Sequence, residues 1–327
     1  MTQRLLYPDI CKFIAIFLVT WSHCAQCISG QTWPDFLFGR SIDIAFNMPL
    51  FMIISGWFIN LESLRGTKGS TYLCKKARRL IIPALSWFII NILLINKNIY
   101  LSGWGIVWFI KATFNYYWYL TALFSCLTII FFAAKIIKNN KTAIIISTII
   151  VTICPFSEFA NINFMFPFIW AGYILRQFID KYSTKIYFTS SIVICIILIS
   201  FWSPSSTVYL SPFKPMHLSV TMILTHLYRF CIGFLISFVI ITIVKKYEYT
   251  KINYLAPLGQ YSLIIYVASI TILHIISLAL SKTYYCNLPI ILEILSFLLC
   301  ILITIVSINI GIVCRKSEAL KFLFLGE

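Results

Sequence analysis

Long apolar runs, interrupted by short polar and basic segments, make up most of the chain. Crossing the hydrocarbon core of a bilayer, roughly 30 Å thick, takes about 20 mostly apolar residues in a helix. Windows of that length predict about ten transmembrane helices, so the expected fold is all-α and polytopic. The windows cover residues 9–28, 42–61, 80–96, 117–134, 142–157, 162–179, 186–203, 218–244, 255–281 and 288–314. The fifth window is the weakest of these predictions, because it is short and ends at Pro155.

Composition supports a lipid environment. Of the 327 residues, 60% are hydrophobic and 11% are charged, whereas soluble domains are about half apolar and a quarter charged. A soluble core of this length could not bury so much apolar surface. The net charge of +16 would suggest nucleic acid if the basic residues formed one patch. They lie instead in short clusters between apolar runs, so we expect membrane lipid and no nucleic acid as a partner. The sequence carries no signal for the oligomeric state.

The basic residues also predict the orientation. With the N-terminus in the cytoplasm, 19 of the 26 Lys and Arg residues fall in inner segments and 5 in outer ones. This bias is typical of cytoplasmic loops, and an even number of spans places the C-terminus in the cytoplasm as well. A cleaved signal peptide is an alternative interpretation of the first helix. Against it, no small-x-small cleavage site follows the helix, and the acidic Asp9 lies in the segment that is basic in signal peptides. We expect one transmembrane domain over residues 1–327, without an appended soluble domain.

Ionisable residues follow one face of the first helix. Lys12 and His23 are eleven residues apart, which is three turns plus roughly 20°. Asp9 lies three residues before Lys12 and shares that face. The rise between Lys12 and His23 is about 16 Å, so His23 lies well across the bilayer. Asp9 and Lys12 are either interfacial anchors or functional groups, whereas an imidazole in a membrane helix favours proton transfer.

The string HCAQC, from His23 to Cys27, raises the alternative of a metal or redox site. Zinc needs a fourth ligand, usually from a second cluster, and haem attachment needs the histidine last. Neither condition is met, so Cys24 and Cys27 are interpreted as packing residues and no metal is expected.

Further ionisable residues lie in later spans. Asp43 is level with His23, where it would either orient the imidazole or sit at a hydrated helix end. His226 and Arg229 share a face of the eighth span, and Arg229 is expected to face a polar cavity rather than lipid. His274 and Glu293 are single polar positions, for which pairing between helices and a catalytic role remain open.

Four basic residues precede the predicted start of the third span: Lys75, Lys76, Arg78 and Arg79. Arginines at a helix N-terminus suit phosphate binding. The alternatives are a positive-inside cluster that fixes topology and a contact with anionic lipid.

Six segments carry a resemblance through their shared order and spacing. They are YPDICKFIAIFLVTWSH, FNMPLFMIISGWF, KKARRLIIPALSW, YYWYLTALF, FPFIWAGYILR and GQYSLIIYV. Over nearly its whole length the chain thereby resembles the acyltransferase 3 family of bacterial membrane acyltransferases. The resemblance implies a ten-helix protein of the cytoplasmic (inner) membrane. It also implies transfer of an acyl group, usually acetyl from acetyl-CoA, to a cell-surface glycan.

The resemblance also implies residue roles. The family's first-helix motif, an arginine and a histidine separated by ten residues, falls on Lys12 and His23. Lysine keeps the charge but loses the bidentate guanidinium. The basic pair that precedes the proline of the third helix falls on Arg78 and Arg79, before Pro83.

Three other family elements are recognisable. The Ser-Gly dipeptide begins at Ser55, and the Trp-aromatic-Leu element begins with Trp118 and Tyr119. The family's late motif often ends in a histidine, whereas this chain has Ser269, three residues after Tyr266. That departure puts a role of the late position in doubt here.

The expected mechanism starts with acetyl-CoA docking from the cytoplasm, with its phosphates on Arg78 and Arg79 and with Lys12 near the mouth. Acetyl-CoA is then a co-substrate, and no tightly bound cofactor is expected. His23 takes the proton from a hydroxyl of a glycan or lipid-linked glycan acceptor as that oxygen attacks the thioester. A covalent acyl-histidine remains an alternative. Candidate supporting residues are Asp9, Asp43, Ser55, Trp118, Tyr119, His226 and Arg229.

Two other classes of function fit the charged residues in the spans. A transporter or flippase would use them as a proton or substrate relay, although no inverted repeat is evident. A sensor or assembly protein would only resemble an enzyme. Release of CoA from labelled acetyl-CoA distinguishes the enzyme from both alternatives.

Overall fold

The computed structural model describes residues 5–30, 38–95, 105–182, 185–203, 206, 214, 219–250, 252–279 and 288–327. These residues form α-helices, short 3-10 turns and connecting loops, and no β-strand occurs among them, so the all-α fold is confirmed. The α-helices are α1 (Tyr7–Ser29), α2 (Phe38–Trp57), α3 (Leu61–Gly66), α4 (Gly69–Ile95), α5 (Gly105–Tyr116), α6 (Trp118–Ile136), α7 (Asn140–Ile153), α8 (Ile162–Tyr182), α9 (Lys185–Ser200), α10 (Val220–Tyr247), α11 (Ala256–Gly259), α12 (Ser262–Ala279), α13 (Pro289–Cys314) and α14 (Glu318–Leu325).

Within the described residues, six helices are long and apolar enough to cross a membrane: α1, α4, α6, α10, α12 and α13. The 26 residues of α13 extend about 39 Å, which exceeds a hydrocarbon core of roughly 30 Å. Large aliphatic side chains such as Ile290, Leu298 and Ile305 are exposed on this helix. Such a surface is stable against lipid and not against water, so the protein is a multi-pass membrane protein.

Each of the ten predicted windows falls on an α-helix, but the count of ten crossings stays a prediction. Helices α7 and α9 have 14 and 16 residues, and the part of α2 counted as apolar runs only from Ile42 to Trp57. As expected from Pro155, α7 ends at Ile153 and a 3-10 turn follows it.

The helices of the structure differ from the predicted windows in three places. The predicted helix start at residue 80 is wrong, because α4 begins at Gly69 and carries the basic cluster within it. The window 255–281 contains the short α11 and then α12, which begins at Ser262. Between the windows that end at residue 96 and begin at residue 117, residues 97–104 lie outside the described part, and Gly105–Tyr116 forms α5.

The chain forms two compact units. The first consists of Met1–Ala15, Phe38–Gly69 and Ser125–Gly259. Within it α2 packs on α8 and α10, α9 packs on α10, and α7 packs on α8. The buried Glu248 carboxylate accepts hydrogen bonds from the backbone N–H groups of Leu6 (3.0 Å) and Tyr7 (2.9 Å). These amides have no partner inside α1, and a carboxylate suits the positive end of the helix dipole.

Two glycines allow α2 and α8 to approach closely in the first unit. A Cβ atom on Gly56 would lie 1.9 Å from the carbonyl oxygen of Ile169, and one on Gly172 would lie 1.9 Å from that of Ile53. The contact is therefore reciprocal, since each glycine faces the backbone of the other helix. Close approach through small residues is a common way to pack membrane helices.

The second unit consists of Ile16–Leu37, Ser70–Phe124 and Gln260–Glu327. Its core includes Cys24, Leu273 and Cys300, contributed by α1, α12 and α13. The indole N–H of Trp21 donates to the hydroxyl of Ser296 at 2.9 Å, which also joins α1 to α13. The later part of α1 is thus fixed against two helices that come more than 200 residues later in the chain.

Candidate active site

His23 lies in the second unit, about two turns before the end of α1. Its side chain is half-buried. The imidazole Nδ1 is 2.9 Å from the side-chain oxygen of Gln26, one turn later on the same helix. An amide oxygen only accepts, so Nδ1 carries the proton and Nε2 is the basic nitrogen of the neutral ring. The hydrogen bond thus prepares His23 to accept a proton at Nε2.

Helix α12 carries a second histidine, His274, within electrostatic range of His23. Cys24 packs against Leu273, and the Cys27 thiol approaches the Leu273 carbonyl at 3.8 Å. His274 is the next residue, and it lies within electrostatic range of His23. Its side chain is exposed, so it is not sequestered in the helix packing. The packing of α1 on α12 therefore brings two imidazoles from distant parts of the sequence within electrostatic range of each other.

Tyr116, at the end of α5, holds His274. The Tyr116 hydroxyl is hydrogen-bonded to Nδ1 of His274, and the two ring centroids are 5.4 Å apart. The same hydroxyl donates to Asn91 Oδ1 of α4 at 3.2 Å. The histidine is therefore connected to α4 through a tyrosine of α5.

Asn91 is the centre of this hydrogen-bond network. Its amide nitrogen is 2.7 Å from the Thr271 hydroxyl, 2.9 Å from the Tyr117 hydroxyl and 3.0 Å from the Trp87 carbonyl. Asn91, Tyr117 and Thr271 are all buried. The amide nitrogen has two hydrogens to share among these three oxygens. A buried hydrogen-bond network of this kind favours one arrangement of its members.

The basic cluster lies at the other end of α4. Twelve residues separate Arg79 from Asn91, a rise of about 18 Å along the helix. Both Arg78 and Arg79 are exposed. The earlier interpretation of a helix N-terminus at these arginines is wrong, because α4 begins at Gly69, more than two turns before them. Any anion bound there would meet guanidinium groups rather than free helix amides.

The C-terminal residues pack against this basic segment. The Arg78 guanidinium lies over the Phe322 ring of α14, 5.2 Å from its centroid. Gly326 has a left-handed backbone with φ of 67°, and a Cβ there would lie 2.5 Å from the Arg78 carbonyl oxygen. Arg315 stacks over the Tyr261 ring at 4.4 Å and approaches Glu327 at 3.4 Å. Taken alone, the second unit thus has a basic end and a histidine end.

Comparison with known proteins gives the family of the chain. The family model described as an acyltransferase domain, of the acyltransferase 3 type, matches residues 5–309. The chain belongs to the acyltransferase 3 family. The resemblance that the order of its sequence motifs indicated is therefore confirmed.

One curated relative of this acyltransferase is the nodulation protein NolL of Sinorhizobium fredii (strain NBRC 101917 / NGR234). The two sequences are 27% identical over 186 residues, which cover 53% of this chain and 49% of NolL. The chain therefore matches about half the length of this relative. No solved structure matches it.

The acyltransferase motif on α1 also includes Lys12, which lies in the first unit. Its ammonium group is 3.1 Å from the Asp9 carboxylate and 5.4 Å from the centroid of the Phe58 ring. Because α1 is uninterrupted from Tyr7 to Ser29, Lys12 and His23 keep their eleven-residue spacing on one helix. The predicted roles of Lys12 and Asp9 in binding the acyl donor stay predictions.

The Ser-Gly motif of the acyltransferase has a clear packing role. Gly56 makes the close contact with α8 described above, and the Ser55 hydroxyl donates to the Phe51 carbonyl at 2.8 Å. Asp43 lies twelve residues before Ser55 on α2, more than three turns away, and is half-buried. The hydrogen-bond partner of His23 Nδ1 is Gln26, and a role for Asp43 stays a prediction.

His226 and Arg229 share one face of α10 in the first unit. The His226 ring packs edge-on against Phe164, with centroids 4.9 Å apart. The Arg229 side chain is buried, and its Nε donates to the Ser206 carbonyl oxygen. Arg229 is therefore buried within the protein, while the expected polar cavity and its part in the reaction stay predictions.

Aromatic residues surround the late family motif. Tyr119 lies edge-on to Tyr266 at 5.8 Å and to Trp118 at 6.2 Å. Ser269, at the position where the family often has histidine, is buried and donates to the Tyr266 carbonyl at 3.2 Å. The imidazole near His23 comes instead from His274, five residues later on α12.

The network residues Gln26, Asn91, Tyr116, Tyr117 and Thr271 were not among the predicted site residues. One signal was available, since Asn91 is the single amide in the apolar run FIINILLI. Among the described residues, no group of three or more His, Cys, Asp or Glu side chains is placed to hold a metal ion.

Proposed function

We propose that this acyltransferase moves an acetyl group from cytoplasmic acetyl-CoA to a hydroxyl of a cell-surface glycan or its lipid-linked precursor. The observation that supports this best is the division of the second unit into an arginine end and a histidine end, about 18 Å apart along α4. Acetyl-CoA is a long molecule with phosphates at one end and a thioester at the other. Two separate sites, one for anions and one for proton transfer, suit such a donor.

His23 is the proposed general base. Its Nε2 takes the proton from the acceptor hydroxyl while that oxygen attacks the thioester carbonyl carbon. The C–O bond forms, the C–S bond breaks, and the CoA sulfur leaves with the electron pair and takes up a proton. The oxyanion needs a hydrogen-bond donor, for which Tyr119, in the same unit as His23, is the candidate.

The proposal includes a location and a topology. One domain crosses the bacterial cytoplasmic membrane ten times, with both termini inside. Arg78 and Arg79 then face the compartment that supplies acetyl-CoA, and His23 lies towards the side on which surface glycans are exposed. Acetyl-CoA acts as a co-substrate, without a resident cofactor.

Replacing His23 tests the proposed base. In membranes that contain the acceptor and are given acetyl-CoA labelled in the acetyl group, His23→Ala is expected to lower acetyl transfer and CoA release about 100-fold or more, the usual contribution of a general base. Protein amount and thermal stability are measured alongside. Release close to the wild-type rate contradicts the role of His23, and a wild-type protein that releases no CoA contradicts acetyl transfer itself.

Replacing the arginine pair tests the donor site. Hydrogen bonds to charged groups contribute about 1.5–3 kcal/mol each, so Arg78→Ala with Arg79→Ala is expected to raise the Kd for CoA tenfold or more. Lys316→Ala with Lys321→Ala removes the same charge from the C-terminal segment of this unit and serves as the matched control. If the two double variants bind CoA with equal affinity, the arginines serve to orient the protein in the membrane or to contact lipid instead.

A further inference from the structure

The hydrogen bonds around Asn91 determine which nitrogen of His274 carries a proton. The Trp87 carbonyl can only accept, so the amide nitrogen of Asn91 faces it and the amide oxygen faces Tyr116. The single hydroxyl proton of Tyr116 is used on that oxygen. The Tyr116 oxygen therefore accepts from His274, whose Nδ1 must be protonated.

The two histidines are thus held in the same way. For His23, the amide oxygen of Gln26 accepts the Nδ1 proton directly. For His274, the Tyr116 hydroxyl oxygen accepts the Nδ1 proton, and the amide oxygen of Asn91 accepts the hydroxyl proton of Tyr116. In each neutral ring the lone pair then lies on Nε2. An amide or carboxylate that orients an imidazole by its Nδ1 is the usual support for a proton-transferring histidine.

We propose that His274 is a second acid–base residue of the acyl transfer, paired with His23 and positioned by Tyr116 and Asn91. This rests on the proposed acetyl transfer. A pair of nearby imidazoles holds one proton more readily than two, because two imidazolium ions repel each other. The pair therefore suits a reaction in which one ring takes a proton and the other gives one.

The proton balance is as follows. Both rings start neutral with a proton on Nδ1, and the Nδ1–H bond of His274 to Tyr116 is kept throughout. The acceptor hydroxyl gives its proton to Nε2 of His23 as the C–O bond forms. That proton passes from His23 to Nε2 of His274, directly or through water. The C–S bond breaks, and the CoA sulfur takes the proton from Nε2 of His274, which restores the starting state.

The competing role for His274 is structural, as a hydrogen-bonded link between α12 and α5. Asn91 already joins α4 to Thr271 of α12 and to Tyr117, and these three side chains are buried. His274 is exposed by contrast, as a side chain that meets a substrate must be. Two titratable groups face it from neighbouring helices, His23 of α1 and Tyr116 of α5.

Nitrogen-15 NMR of histidine-labelled protein in detergent tests the arrangement without catalysis. The chain has four histidines, so each signal is assigned by its loss in one His→Gln variant. The expected result is an Nδ1–H tautomer for neutral His274, and loss of that preference in Tyr116→Phe while His23 is unchanged. An Nε2–H tautomer in the wild type, or no change in Tyr116→Phe, overturns the inference.

Kinetics test the acid–base role. CoA release is followed against pH in phospholipid vesicles, with glucose, galactose and N-acetylglucosamine as acceptor probes. His274→Gln is expected to lower kcat about 100-fold or more, to leave the KM for acetyl-CoA near its wild-type value, and to remove one ionisation from the pH profile. Tyr116→Phe is expected to lower kcat less and to shift that ionisation.

The control is Ile275→Gln, an exposed neighbour on the same helix, which is expected to keep the wild-type rate and pH profile. An active wild type with a fully active His274→Gln variant overturns only this inference. A His274→Gln variant that loses activity but keeps both ionisations assigns a structural role to the residue. A wild type that releases no CoA overturns the proposed function and this inference together.

Discussion

At the scale of single residues, the buried Asn91 side chain is hydrogen-bonded to side chains of α5 and α12 and to Tyr117. Its removal by Asn91→Leu leaves the buried hydroxyls of Tyr117 and Thr271 without this partner. Unpaired buried groups cost about 1–3 kcal/mol, and hydrogen bonds between membrane helices average about 0.6 kcal/mol. We expect a loss of roughly 1–3 kcal/mol in stability, measured as a lower Tm in detergent.

The matched control for this prediction is Asn309→Leu. Asn309 is exposed on α13, and its amide donates within its own helix to the Ile305 carbonyl at 2.9 Å. The Asn309→Leu substitution is expected to leave the Tm nearly unchanged. An equal Tm for the two variants would contradict the role of Asn91 as a structural centre.

Residue roles were predictable from sequence where a local motif marks them, and not where distant helices converge. His23 stood out because it lies in an apolar helix with a recognisable spacing to Lys12. The Asn91–Thr271 hydrogen bond joins residues 180 positions apart. Hydropathy shows that a residue lies in a span but not which helix faces it, so the partners of His274 appeared only in the structure.

At the scale of helices, the close contact between α2 and α8 leads to a second prediction about stability. Gly56→Ala and Gly172→Ala each place a Cβ atom within 1.9 Å of a backbone oxygen, so either change must push the two helices apart. Overpacking of this kind costs about 1–3 kcal/mol. We expect both variants to lower the Tm, and the double variant to cost less than the sum, since the first change already separates the helices.

Gly66→Ala is the control for the α2–α8 prediction, because a Cβ at Gly66 meets no atom within 4 Å. It is expected to match the wild type in Tm and yield. Strict additivity of Gly56→Ala and Gly172→Ala would show that the two glycines do not belong to one contact.

The sequence predicts the apolar part of each long helix but not its polar extensions, because hydropathy detects only the residues that lie in lipid. A window of apolar residues finds the part of a helix that lies in lipid, as for α13. It does not find a polar extension, so the first part of α4, from Gly69 to Arg79, was interpreted as a loop. The short helices α3, α5 and α14 were missed for a related reason, since none is long enough to span a bilayer.

At the scale of the whole molecule, the number of crossings depends most on α7. Its 14 residues extend about 21 Å, less than a hydrocarbon core of roughly 30 Å. If α7 crosses the membrane, Phe156 and Lys214 lie outside, whereas Lys68 and Glu318 lie inside. All four side chains are exposed in the structure, so each accepts a cysteine without disturbing the packing.

Labelling with a membrane-impermeant maleimide in intact cells checks this topology. Phe156→Cys and Lys214→Cys are expected to react above the background of the unsubstituted chain, and Lys68→Cys and Glu318→Cys only after the cells are opened. If α7 does not cross, positions 156 and 214 become protected and position 318 reacts. Lys68→Cys keeps its side in both cases, because only α1 and α2 precede it, and the predicted sides of Arg78, Arg79 and His23 are then independent of α7.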